Sequence, residues 1–212
     1  MSKKSKLAFV TFLTFVRFPL VLLFFAGAIV YSQTEHKAVW LFALTFAALV
    51  LSAVTDLFDG YYARKFNVVT QFGAHVDPLM DKFFYLASLP LLVFVTAKDG
   101  ELVHSTLLLI LTLFFLARDQ WVTFLRSIGS IYNVSGQANW SGKLRTALNF
   151  PMICTVYYFE EAPDCIQFVP PVITYAFVIL TLGITVISLF VYTKQYWPYL
   201  RKAASVETLD EE

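Results

Sequence analysis

Charge is scarce in this chain. Asp, Glu, Lys and Arg make up 15% of it, against about 25% in a soluble domain. Cysteine is scarcer still. Cys154 and Cys165 are the only two, too few for a disulfide framework and at no zinc-site spacing; they read as unpaired packing residues. Internal repeats and low-complexity tracts are also missing. No nucleic-acid partner is expected. What is abundant is apolar: 58% of the 212 residues are hydrophobic, and mean hydropathy is +0.66. These residues run continuously instead of periodically, which marks an integral membrane protein.

A spanning helix needs about 20 apolar residues. Six segments qualify: Phe9–Tyr31, Ala38–Asp59, Thr70–Ala97, Leu102–Thr123, Leu144–Phe159 and Phe168–Tyr192. The fifth is short and needs neighbours, or part of the polar stretch before it, to reach across. MSKKSK and the first apolar run resemble a signal peptide. No small-residue cleavage site with a polar mature domain follows, so an uncleaved first span is expected. Charge placement tests the count. With the N-terminus inside, Lys3, Lys4, Lys6, Arg17, Arg64, Lys65, Lys82, Arg118, Arg126, Lys143, Arg145, Lys194, Arg201 and Lys202 fall on the inner side or at inner helix ends. Only Lys37 and Lys98 fall outside, as the positive-inside rule requires. Five or seven spans would break this alternation. The expected fold is therefore all-α: a polytopic membrane protein of six transmembrane helices over residues 1–195, with both termini cytoplasmic. A polar, solvated tail over 196–212 follows.

Against this background the stretch DLFDGYYARKFNVVTQFGAHVDPLMD carries four acids: Asp56, Asp59, Asp77 and Asp81. A charge well inside a span costs about 2.5–3.5 kcal/mol, and such residues mark functional sites by default. Asp56 and Asp59 are i, i+3; Asp77 and Asp81 are i, i+4. Each pair shares a helix face, and a short connection makes the two helices antiparallel neighbours. Carboxylates about 4–5 Å apart repel by roughly 3–4 kcal/mol per pair at an effective dielectric of 20, so the set must protonate or bind cations. Oxygen-only ligands favour Mg²⁺ or Mn²⁺. His75 lies on a different face from Asp77 and reads as a pocket or packing residue. Gly60 and Ala63 clear a surface beside the acids, Gly73 thins the facing helix, and Arg64 offers a planar fork suited to phosphate. Together these suggest a metal-bound diphosphate with an adjoining nucleoside.

The spacing D-x2-D-G-x2-A-R-x8-G-x3-D-x3-D resembles, without a departure, the signature of the CDP-alcohol phosphotransferase (CDP-alcohol phosphatidyltransferase) family. The resemblance extends over roughly residues 7 to 195. It implies that Asp56, Asp59 and Asp77 hold one or two divalent cations on the diphosphate of a CDP-linked lipid. Asp81 would bind metal or act as general base. Gly60, Ala63, Arg64 and Gly73 would cradle the CDP moiety, with Thr70 near its phosphate. An acceptor hydroxyl would attack the β-phosphorus and CMP would leave. A homodimer in a bacterial inner (cytoplasmic) membrane, active site facing the cytoplasm, is implied as well.

The acceptor must be read elsewhere. In ARDQWVTFLRSIGSIYNVSGQANWSGKLRT, Arg118, Val122 and Arg126 lie four apart, so both arginines share a helix face. Lys143 and Arg145 open the fifth span, near the positive end of its helix. Four cations beside an acidic metal site suit an acceptor that itself bears a phosphate; topogenic charge is the other reading. This region is most similar to the bacterial phosphatidylglycerophosphate synthases, whose R-E, L-R and G-K-x-K-T patterns are met by Arg118–Asp119, Leu125–Arg126 and Gly142 to Thr146. Asp119 replaces a glutamate and Arg145 a lysine. The N-x2-T-x2-R pattern is met by Thr14 and Arg17, with Thr11 where asparagine is usual; Thr14 would border the CDP-lipid. The implied substrates are CDP-diacylglycerol and glycerol 3-phosphate, among membrane lipids. Inositol phosphate and then serine remain alternative acceptors, and a cation transporter is the alternative of another class.

Overall fold

The computed structural model describes residues 3–34, 38–66, 71–134 and 139–205. Within them it describes all side chains except those at 3, 4, 56, 57, 59, 60, 63, 64, 71–75 and 77. The described residues form six α-helices and no strand: α1 (Lys3–Ser32), α2 (Val39–Phe66), α3 (Gln71–Lys98), α4 (Leu102–Ile131), α5 (Trp140–Glu161) and α6 (Pro171–Ala204). The all-α expectation is met. Four of these helices contain stretches long and apolar enough to cross a membrane: Ser5–Ser32, Pro78–Lys98, Leu102–Ile131 and Pro171–Ala204. The apolar part of α2, Val39–Thr55, is shorter.

Several helices outrun the expected spans, for local reasons. α2 continues past Asp59 to Phe66 because GYYARKF contains good helix formers and an aromatic ladder at i, i+4 spacing. Phe58 stacks on Tyr62 and Tyr62 on Phe66, with ring centroids 5.9 and 5.3 Å apart. α5 takes in Trp140 to Lys143, which gives the short fifth segment its missing turn. The α3–α4 turn closes on Gly100 at φ 85°, a conformation open to glycine.

Consecutive helices run antiparallel, and contacts at both ends show it. At one end the Lys6 ammonium sits over the Phe66 ring at 5.2 Å, Arg17 meets Asp81 at 2.8 Å, and Trp121 donates to Thr193 at 2.8 Å. At the other end His104 meets Glu160 at 2.5 Å and stacks on Tyr175 at 4.6 Å. Between them lies a core of Phe24, Tyr31, Phe42, Leu92, Phe115 and Tyr157. Some of its polar groups are satisfied locally: the Thr45 hydroxyl contacts Tyr157 Oη at 2.9 Å, and Ser52 and Thr185 bond back to carbonyls of their own helices. Apolar side chains also cover the outside. Leu102, Leu113, Phe168, Val172 and Phe190 are all exposed, as expected where the solvent is hydrocarbon and not water.

Candidate active site

The helical backbone realises the spacing of the acidic stretch. Asp56, Asp59, Gly60, Ala63 and Arg64 ride on the last turns of α2; Gly73, Asp77 and Asp81 ride on the first turns of α3. The side chains of Asp56, Asp59, Ala63, Arg64, His75 and Asp77, the surroundings of Gly60 and Gly73, and the whole of Thr70 lie outside the described residues. Among the described residues, no three His, Cys, Asp or Glu side chains gather as a metal site. The donor set nevertheless fits a hard cation: two carboxylate pairs, each one turn apart on consecutive helices.

Asp81 is described in full. Its Oδ1 accepts from Arg17 Nη2 at 2.8 Å, and its side chain is 47% exposed. Arg17 comes from the middle of α1, is almost fully buried and lies over the Phe84 ring. This pairing leaves Oδ2 as the other carboxylate oxygen available for chemistry. The nearby lysines are occupied differently: Lys82 donates to Thr123 at 3.0 Å, and Lys65 sits over Tyr61.

Asp81 also lines a cavity of about 290 Å³ whose other walls come from α4, α5 and α6. Arg118, Arg126 and Arg145 all reach it, with Val122 between the first two on the α4 face. Lys143 does not line it and is exposed. The three arginines are held differently. Arg118 donates through Nε and Nη2 to Ser188 Oγ at 3.1 and 2.7 Å, and through Nη1 to Asp119 at 3.1 Å. Arg145 donates through Nη1 to the same Asp119 oxygen at 2.8 Å and stacks on Phe115 at 3.8 Å. Its Nε and Nη2 are buried with no acceptor among the described residues, as is Arg126 Nε. A buried donor left unpaired costs about 1–3 kcal/mol, more when charged. These N–H groups therefore favour an anion in the cavity.

Several residues of the site carry little signal in the sequence. Asp119 enters the sequence reading only as the residue that stands for the glutamate of the R-E pattern, and its role as the shared acceptor for two guanidiniums depends on folding. Tyr85, Ser188 and Tyr192 look like ordinary span residues until α6 is packed on α4. Thr14 is buried on α1, its hydroxyl donating to Val10 at 3.3 Å, and it does not line the cationic cavity. Thr11 instead borders a second, apolar groove of about 560 Å³ with Leu7, Ala8, Phe12 and Phe15.

Known proteins are similar to this chain in sequence. The chain is similar to the CDP-diacylglycerol–glycerol-3-phosphate 3-phosphatidyltransferase of Rickettsia bellii, at 34% identity over 99 residues, 47% of this chain and 50% of that protein. It is similar to the Bacillus subtilis protein of the same name at 35% over 97 residues, 46% of each. The Pectobacterium atrosepticum protein of that name matches at 31% over 127 residues, 58% of this chain and 65% of its own. The chain thus spans between 46% and 65% of the length of these curated relatives. The family model for CDP-alcohol phosphatidyltransferases matches residues 8–191, covering the acidic helices and every lining residue of the cationic cavity but Tyr192. The chain belongs to the CDP-alcohol phosphatidyltransferase family.

Proposed function

We propose that the protein transfers the phosphatidyl group of CDP-diacylglycerol to glycerol 3-phosphate, giving phosphatidylglycerophosphate and CMP. The observation that carries the reading is one cavity with Asp81 on one wall and the unpaired donors of Arg145 and Arg126 on another. Arg145 and Arg126 hold the acceptor's phosphate. Arg118, with each of its nitrogens already bonded to Ser188 or Asp119, shapes the pocket. The acceptor hydroxyl then lies toward Asp81, which takes its proton as the oxygen bonds to the β-phosphorus and the bond to CMP breaks. Arg17 holds Asp81 in place through one oxygen and leaves the other for that proton. Gly60, Ala63, Arg64, Gly73, Thr70 and Thr14 border the CDP-lipid. One or two Mg²⁺ or Mn²⁺ ions, held by Asp56, Asp59, Asp77 and the nearby Asp81, would supply neutralising charge for the diphosphate.

All six helices cross a bacterial inner membrane in this reading, with both termini and the active site cytoplasmic and residues 1–195 as the membrane domain. The working protein is a homodimer. The test is CMP release by purified protein given CDP-diacylglycerol, Mg²⁺ and a panel of acceptors. Release with glycerol 3-phosphate is expected, and its absence overturns the reading. The unpaired guanidinium donors suit any phosphate-bearing acceptor, so inositol phosphate is the second reading; free serine, which lacks a phosphate, is expected to give little turnover.

A further inference from the structure

Tyr192 sits on α6, the helix to which the sequence assigns no site residue. Its side chain is completely buried, yet it borders the cationic cavity. Two guanidiniums lie over its ring, Arg118 at 4.9 Å and Arg126 at 5.4 Å from the centroid. Its hydroxyl oxygen accepts twice: from Arg126 Nη2 at 3.1 Å, and from the backbone N–H of Asn139 at 3.0 Å. A phenol has one hydrogen to donate besides its acceptor lone pairs. With both acceptor positions taken, that hydrogen is what remains, and no acceptor for it is found among the described residues. Gly142 explains how α5 approaches so closely: a Cβ there would stand 2.9 Å from the Tyr192 hydroxyl and 3.6 Å from Arg118 Nη2.

We propose that Tyr192 is a specificity-determining residue, donating its phenolic hydrogen to the anionic group of the acceptor while the same oxygen fixes Arg126 and the start of α5 around it. The chemistry this suits is a tetrahedral oxyanion, a phosphate monoester. Arg126 and Arg145 supply charge, and the phenol supplies a directed neutral donor whose position α6 sets. A neutral alcohol would gain less, since hydrogen bonds to an ionised acceptor are roughly twice as strong as neutral ones.

The proposal rests on the acceptor reading above, and the test separates the two. Tyr192→Phe keeps the ring, its contacts with both guanidiniums and the fit to Gly142; it removes only the oxygen. Its glycerol 3-phosphate KM should rise by about tenfold or more, with the CDP-diacylglycerol KM unchanged. In parallel, thermal melting of the detergent-solubilised protein is followed as inorganic phosphate is added. Phosphate should stabilise the wild type and stabilise Tyr192→Phe less, each shift being measured from that protein's own phosphate-free melting temperature, which the variant lowers by freeing the donors of Arg126 and Asn139. Wild-type turnover with an unchanged acceptor KM in Tyr192→Phe overturns the inference and leaves the function standing. No turnover with glycerol 3-phosphate, but phosphate stabilisation that depends on Tyr192, overturns the function and keeps the inference. No phosphate stabilisation of the wild type and no turnover overturn both.

Discussion

Arg118 and Arg145 share one carboxylate but differ in what they have left to offer. Ser188 and Asp119 engage all three nitrogens of Arg118, whereas Arg145 spends only Nη1 on Asp119. Lysine at 145 would keep a charge but lose the planar fork and its stacking on Phe115. Arg145→Ala should lower kcat/KM for the acceptor by about 100-fold while leaving the KM for CDP-diacylglycerol unchanged, and Arg145→Lys, which installs the residue of the synthase pattern, should recover part of that loss. Steady-state kinetics with each substrate varied decides it; an equal loss for both substrates would mean that Arg145 serves the fold and not the acceptor. Asp119 makes the complementary case. It is 17% exposed, within 3.1 Å of one guanidinium and 2.8 Å of the other. Removing its charge leaves two cations facing each other, and breaking a buried pair costs about 3–5 kcal/mol. Asp119→Asn should lower the melting temperature in detergent and raise the acceptor KM, and Asp119→Glu should restore most of both. A melting curve and acceptor KM unmoved by Asp119→Asn would count against the shared-anchor role.

Helix ends, more than helix middles, build this site, and that is where sequence and structure part. Apolar runs make the helix count legible, since only a helix satisfies its backbone within a single segment crossing hydrocarbon. The four-residue spacing of Arg118, Val122 and Arg126 likewise predicts the shared face that the cavity displays. The extension of α2 to Phe66 was not legible from hydropathy, because the ladder of Phe58, Tyr62 and Phe66 works beneath a polar composition. Nor could Lys143 be told from Arg145 by charge: two positions apart on a helix, they point to different faces, and only Arg145 meets α4. Gly142, between the cations and α6, is the element-scale test. Alanine would gain up to about 1 kcal/mol of helix propensity, but its Cβ would press the Tyr192 hydroxyl from 2.9 Å. Gly142→Ala should raise the acceptor KM by about threefold to tenfold with little change in melting, and Gly142→Val should do worse. An unchanged acceptor KM in both variants would show that the phenol has room to move.

The molecule as a whole is polarised, with the cationic cavity at one end and a buried His–Glu pair at the other. At that second end, Glu161 lies two residues beyond the fifth expected span and is fully buried. Burial first, then the charge of Asp99, opposed by Lys98 and reinforced by Glu160, pushes its carboxyl from 4.5 up to about 8. The folded protein thus binds more protons than the unfolded chain between those values. The stability linked to Glu161 is fully present below about 4.5 and is lost as pH rises through about 8. Melting temperature should fall across this window, and Glu161→Gln should flatten the fall; an unaltered slope would remove Glu161 as its source. The same polarity makes orientation measurable. Cys165 is exposed on the α5–α6 connection, at the end opposite the cavity, while Cys154 is half-buried. With the active site cytoplasmic, Cys165 faces outward. A membrane-impermeant maleimide should then label it in spheroplasts without permeabilisation, and Cys165→Ser should abolish that labelling. Ser130 is exposed at the cavity end of α4, so Ser130→Cys in the Cys165→Ser background should label only after permeabilisation. The reverse pattern would place the site outside. It would also put Lys37 and Lys98, instead of the remaining fourteen of the 16 basic residues, on the inner side, against the charge asymmetry that governs insertion.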